Sequence, residues 1–233
     1  MCQKHSSSAS LQYQQIYRET RVGLRLAVSM IRQPSCLPLQ DLAFFMAVPD
    51  ESDAALYEFR LNSYDESITF DIPGVLARDP RYERYRCPEP LFVTCTNGRV
   101  DPCCAKNGMQ VYRALVEQVG DLAWQSTHIG GCRFAGNPVC FPQGVYYGRV
   151  EPDEVATIVG AFRQQRLYLE KYRGRPSLDL EADVAEYFLR QQTGARELGQ
   201  FRLIPIEHEA ENCWSAQFEL RSTGAIYSPA GRT

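Results

Sequence analysis

No apolar run in the sequence approaches 18 residues, so no stretch reads as a membrane-spanning helix. Cationic excess is missing as well. Lys and Arg number 25 against 28 Asp and Glu, a net charge of −3, which offers no basic field to a nucleic-acid backbone. No Cys-x-x-Cys dithiol occurs, so a thioredoxin-type exchange mechanism lacks its motif. No pair of carboxylates is placed to suggest glycoside hydrolysis. The first 15 residues are polar and Ser/Gln-rich without an apolar h-region, and they read as a frayed leader and not as a signal peptide. Histidine is scarce, with three copies, so the position of each carries information.

Sulfur is what the chain has. Nine cysteines are too few for a disulfide scaffold in 233 residues, and the count is odd. A reducing cytoplasm, with some thiols as ligands and others as small buried hydrophobes, is the economical reading. Five of the nine, together with His128, fall between Cys95 and Cys140. Cys95 and Cys104 bracket a Gly- and Pro-containing loop. His128 and Cys132 bracket Ile129-Gly130-Gly131. Thiolate and imidazole donors select zinc or iron–sulfur over magnesium or calcium. The spacing Cys-x8-Cys with His-x3-Cys is not that of a standard zinc finger, and it favours iron–sulfur while leaving zinc open. The two glycines clear side-chain bulk and free N–H groups for a sulfide or thiolate.

The neighbours of these pairs need separate readings. Cys103 adjoins Cys104, and adjacent side chains point different ways, so one of the two ligates; Cys104 is the choice. Cys140 lies in a strand and reads as a core thiol, with completion of the site as its other role. Arg99 and Arg133 flank the two pairs and suit either softening of a site's negative charge or contact with a redox partner. Trp124 reads as core. A Cys132–His128 catalytic dyad would leave Cys95 and Cys104 without a role.

Periodicity supplies the scaffold. Leu42–Val48 and Ala54–Asn62 read as strands, Ser67–Ile72 as a third, and Pro73–Cys87 as a linker whose arginines 78, 81, 84 and 86 form a solvated face. Leu11–Ile31 holds a helix or a late strand. From Pro90 to Leu169 the order is strand, loop, helix, strand, loop, then a hairpin about Pro142-Gln143-Gly144, then a helix from Pro152 to Leu169. A thioredoxin-like domain has that order. After a break at Gly174-Arg175-Pro176, Leu180–Gln192 reads as an amphipathic helix carrying Val184, Tyr187 and Phe188. Strands follow at 200–206 and 214–220, with an edge strand at 225–228. The division expected is a leader (1–15), an N-terminal α/β addition (16–87), the central domain (88–172) and a small C-terminal α/β extension (173–233).

CTNGRVDPCCAKNG, STHIGGCRFAGN and PQGVYYGRVEP, firm over Leu91 to Pro152, resemble the sucrase/ferredoxin-like family. The resemblance implies an α/β fold: a thioredoxin-like ferredoxin domain, with a central mixed sheet flanked by helices and N- and C-terminal additions. It also implies a [2Fe–2S] cluster held by Cys95, Cys104, His128 and Cys132, and a one-electron carrier or redox-linked regulator in place of an enzyme. The partner would be a reductase or electron acceptor, and a homodimer is open to such a chain. Fungal relatives place histidine at both positions that bracket the glycines. Here the second is Cys132, a departure toward the four-cysteine ferredoxin pattern. The alternatives are a structural or regulatory zinc protein on the same scaffold and a thiol-dependent redox enzyme using Cys103 or Cys132.

Overall fold

The computed structural model describes residues 31–32, 42–50, 53–67, 69–99, 101–127, 129–175, 178, 180–210 and 213–232. The leader and the segment before Ile31 lie outside these residues. In chain order, β1 (Ile31–Arg32) is followed by β2 (Leu42–Val48), β3 (Ala55–Leu61), the short α1 (Ile72–Leu76) and a 3-10 turn (Pro80–Tyr85). Then come β4 (Leu91–Cys95), a π-helical turn (Cys104–Gly108) running into α2 (Met109–Val119), β5 (Ala123–Ser126), β6 (Pro138–Phe141), β7 (Val145–Tyr147) and α3 (Val155–Arg163). The rest is β8 (Tyr172–Gly174), α4 (Leu180–Thr193), β9 (Phe201–Ala210), β10 (Cys213–Leu220), β11 (Ala225–Tyr227) and β12 (Ala230–Arg232).

The main sheet has the order β1-β5-β4-β6-β7-β8. Strands β4 and β5 run parallel and the other neighbours antiparallel. Helix α2 makes the crossover between the parallel pair, and α3 follows the β6–β7 hairpin. This is the thioredoxin-like arrangement, a mixed sheet flanked by helices. Val111, Tyr112 and Leu115 of α2 and Val155, Ile158 and Phe162 of α3 pack with Phe92, Val145 and Tyr147 on one face of the sheet. The β2–β3 hairpin covers the other face, where Leu56 meets Leu91, Val93 and Trp124, and Phe45 sits edge-on to Trp124 at 5.1 Å. Strand β4 is therefore buried along its whole length. That explains the run Leu91-Phe92-Val93 at its start: a strand covered on both faces has no reason to alternate.

Ser67–Ile72 is not a strand. Glu66 accepts hydrogen bonds from the backbone N–H and side-chain amide of Asn62, and Asp71 caps α1 by accepting from the Gly74 N–H at 3.0 Å. These local bonds turn the chain before a ladder forms. Nor is 73–87 a bare linker. Its Tyr82 and Tyr85 pack on Phe59 beside Phe70. Three of its four arginines are ion-paired within the fold, Arg78 and Arg86 with Asp53 and Arg81 with Asp71 and Asp79, while Arg84 lies over the Tyr85 ring.

Helix α3 ends six residues before Leu169. Gln165 turns left-handed (φ 57°), and the Leu167 N–H bonds to the Arg196 carbonyl at 2.6 Å, so 165–169 follows the C-terminal segment. Of the three apolar residues read as the buried stripe of helix α4, only Tyr187 packs against the main core. Val184 and Phe188 are exposed, while Ala182, Ala185, Glu186, Leu189 and Arg190 are buried. Arg175, just past β8, and Arg190 both pair with Glu186, and Tyr172 donates to the same carboxylate at 2.8 Å.

Candidate metal centre

The parallel strands β4 and β5 end side by side, with Cys95 opposite Ser126. Strand order reverses here, because α2 carries the chain to one neighbour of β4 while β6 occupies the other side. Crevices beyond the carboxyl ends of strands at such a switch point are where α/β sheets hold ligands. Both loops singled out by the sequence leave from this end. The Thr96 hydroxyl donates to Gln125 Oε1 at 2.9 Å, tying them together.

The first loop leads into the helix through a formed cap. Asp101 Oδ1 accepts from the Cys103 N–H at 2.8 Å, Pro102 occupies the first helical position, and the π-turn begins at Cys104. Cys104 and Gly108 are four apart and share a face of that turn. Gly108 lies so close to β4 that a Cβ there would fall 2.1 Å from the Cys95 carbonyl oxygen. The glycine lets the helix press on the strand end and brings Cys104 inward, where it is fully buried.

The second loop is bent by consecutive left-handed glycines, Gly130 (φ 81°) and Gly131 (φ 66°). Buried Asn137 fixes it by donating from Nδ2 to the Gly130 carbonyl at 3.0 Å. A 3-10 turn over Cys132–Phe134 follows and leaves Cys132 half-buried.

Cys95, Cys104 and Cys132 meet at this point. They share one pocket with Ala135 and Ile129. Burial first, then the neighbouring Cys95 thiol and hydrogen bonds with Cys132 and Cys95, push the Cys104 thiol up from 9.0 to about 12. The Cys95 thiol also donates to the Thr127 carbonyl at 3.7 Å. Among the described residues, no group of three or more His, Cys, Asp or Glu side chains is arranged to hold a metal ion. His128 lies outside the described residues. Cys103 is exposed, and a hydrogen bond with Asp101 raises its thiol. Cys140 is fully buried in the core beneath α2 and α3, where burial drives its thiol far up. Trp124 is core, donating to the Asp121 carbonyl at 2.9 Å.

Sequence reasoning named the sulfurs but passed over the parts that seat them. Gly108 was detectable as a glycine one turn after Cys104. Asp101-Pro102 carried a capping signal. Arg173, whose guanidinium would lie 2.9 Å from a Cβ on Gly131, is some forty residues away and left no local trace.

The sucrase/ferredoxin-like family matches residues 10–174, taking in the segment before β4 and closing at β8. The chain belongs to this family. It is similar, at 32% identity over 149 residues, to altered inheritance of mitochondria protein 32 of Meyerozyma guilliermondii. That match covers 58% of this chain and 51% of the relative, so the chain spans about half the length of the curated relative it matches. Among solved structures it is similar to a thioredoxin-like [2Fe–2S] ferredoxin from Aquifex aeolicus, at 20% identity and a TM-score of 0.35 over 40% of this chain and 100% of that one. A cysteine-to-serine variant of that ferredoxin matches at 21% identity and a TM-score of 0.34 over 37% and 100%. Among the described residues, no helix of this family member is long and apolar enough to cross a membrane.

Proposed function

We propose that the chain is a one-electron carrier, or a redox-linked regulator, built on a [2Fe–2S] cluster held by Cys95, Cys104, His128 and Cys132. The observation that carries this reading is the meeting of three thiols from separate segments in one pocket. The donor set fits such a group. Crowded, buried thiols resist ionisation, as the raised Cys104 shows, and a cationic iron–sulfide core supplies the positive charge that would favour their thiolates. When bound, the cluster supplies one-electron chemistry. The chain's own residues hold and shield it. Ile129 and Ala135 keep the pocket apolar, Asn137 pins the glycine loop, and Gly130 and Gly131 leave room beside the sulfurs. The ferredoxin-like fold and the family both suit a redox role. A reducing cytoplasm suits free thiols, and a reductase or an electron acceptor completes the cycle.

The ligand set sets the potential. Three thiolates and a neutral imidazole around a dicationic core leave about one negative charge, against about two for four thiolates. His128→Cys is expected to lower the midpoint potential and Cys132→His to raise it, both read by redox titration of the visible bands after reconstitution with iron and sulfide. Bands that dithionite does not bleach, or potentials that do not move, would contradict this assignment.

A further inference from the structure

Three arginines crowd one ring beside the Cys132 loop. The guanidinium of Arg173 lies 3.9 Å from the centroid of Phe134, that of Arg133 4.9 Å and that of Arg149 5.6 Å. Phe134 closes the same 3-10 turn that begins at Cys132. The ring face attracts guanidinium groups and offsets part of their mutual repulsion. Six arginines elsewhere are neutralised: Arg78, Arg81, Arg86, Arg175, Arg190 and Arg196 have a carboxylate within ion-pair distance. Among the described residues, none of the three around Phe134 does.

Two further observations mark the cluster. Arg173 Nη1 is buried without a hydrogen-bond partner. Arg149 has left-handed backbone (φ 55°), unfavourable for a residue with a side chain, and two bonds hold it there. The Arg149 N–H donates to the Phe134 carbonyl at 3.0 Å, and Lys171 Nζ donates to the Arg149 carbonyl at 2.7 Å. The fold thus keeps this guanidinium beside the ring. Arg133 and Arg149 are exposed, and with Cys103 and Cys132 they line an open cleft of about 760 Å³ that Asp101, Glu151 and Asp153 also border.

We infer that Arg133, Arg149 and Arg173 form the docking point for an acidic face of the protein that exchanges electrons at the Cys132 loop. The inference rests on the carrier reading above. The chain carries a net charge of −3, and at this loop three guanidinium groups stand against the Asp101, Glu151 and Asp153 carboxylates that border the cleft, so the ring cluster is where an acidic face finds local attraction. That asymmetry selects encounters that set the partner over Cys132, because charge complementarity acts mainly on orientation and on-rate.

A fluorescent hexaglutamate peptide tests the site on the full chain by anisotropy, at low and at physiological ionic strength. Wild type is expected to bind, more weakly as salt rises. Arg133→Glu with Arg149→Glu is expected to bind roughly tenfold more weakly. Arg84→Glu, changed on the separate Tyr85 cluster, is expected to bind as wild type. Both altered positions of the double variant are exposed, and an unchanged melting curve verifies its fold. Equal binding by the double variant, or an equal loss in Arg84→Glu, would overturn the inference. So would displacement by phosphate beyond that of chloride at matched ionic strength, which would mark a small-anion site. Iron content of the same samples separates the two readings: iron with unaltered peptide binding removes the docking point alone, whereas an iron-free chain that still binds through these arginines removes the carrier reading.

Discussion

A methyl group at Gly108 would sit 2.1 Å from the Cys95 carbonyl oxygen. Backbone cannot yield as a flexible side chain can, so Gly108→Ala has to push the helix from β4. The expected cost is about 1–3 kcal/mol in urea unfolding, with reduced iron content. Gly160→Ala, in open helix surface, is expected to gain about 0.5–1 kcal/mol in the same measurement. Among the cysteines, Cys104→Ala is expected to abolish cluster binding, while Cys103→Ser and Cys140→Ala retain the visible bands. The raised Cys104 pKa also fixes the sign of a pH effect. Folding favours the neutral thiol, so its contribution is full below pH 9 and is lost as pH climbs toward about 12. The metal-free chain is expected to weaken across that alkaline window, and Cys104→Ala to weaken less steeply. At this scale the three thiols that meet were legible because cysteines at paired loop positions are a local pattern. Arg173 against Phe134 was not, since that contact exists only once β8 has joined the sheet.

Helix α4 shows the limit of periodicity for an element. Of its apolar stripe of Val184, Tyr187 and Phe188, only Tyr187 packs on the core, while Val184 and Phe188 face solvent and Glu186 and Arg190 are buried. What turns it is the partner surface. Arg175 and Tyr172 require a carboxylate, and Ala182 and Ala185 permit close approach. Arg190 also donates to the carbonyls of Ala195, Glu197 and Leu198, fastening the turn after the helix. Burial alone would raise the Glu186 pKa, but Arg175 and Arg190, with hydrogen bonds from Arg175 and Tyr172, bring it below the ordinary value. Its contribution is therefore present above the ordinary carboxylate range and is lost as pH falls below it. Glu186→Ala strands two buried guanidinium groups, with an expected loss of about 3–5 kcal/mol by thermal unfolding. In contrast, β4, α2 and the β6–β7 hairpin were legible, because strand burial, helical spacing and a Pro-Gln-Gly turn are all written locally.

Across the whole molecule, the strand order that creates the switch point followed from element order alone, since short connections restrict a β-α-β unit and a hairpin to few arrangements. The placement of the β2–β3 hairpin over the second sheet face did not, because it depends on which surfaces β4 leaves uncovered. The family match closes at residue 174, yet Leu198 belongs to the main core and Tyr187 packs against it. A chain ended after Gly174 is therefore expected to melt lower than the full chain and to bind a hydrophobic dye at the uncovered core. The account as a whole turns on whether the thiol pocket holds two irons. Iron and acid-labile sulfide, measured per chain on anaerobically purified protein, decide it most directly. Two of each in a red-brown protein is the predicted result; a colourless protein with one zinc per chain would contradict it.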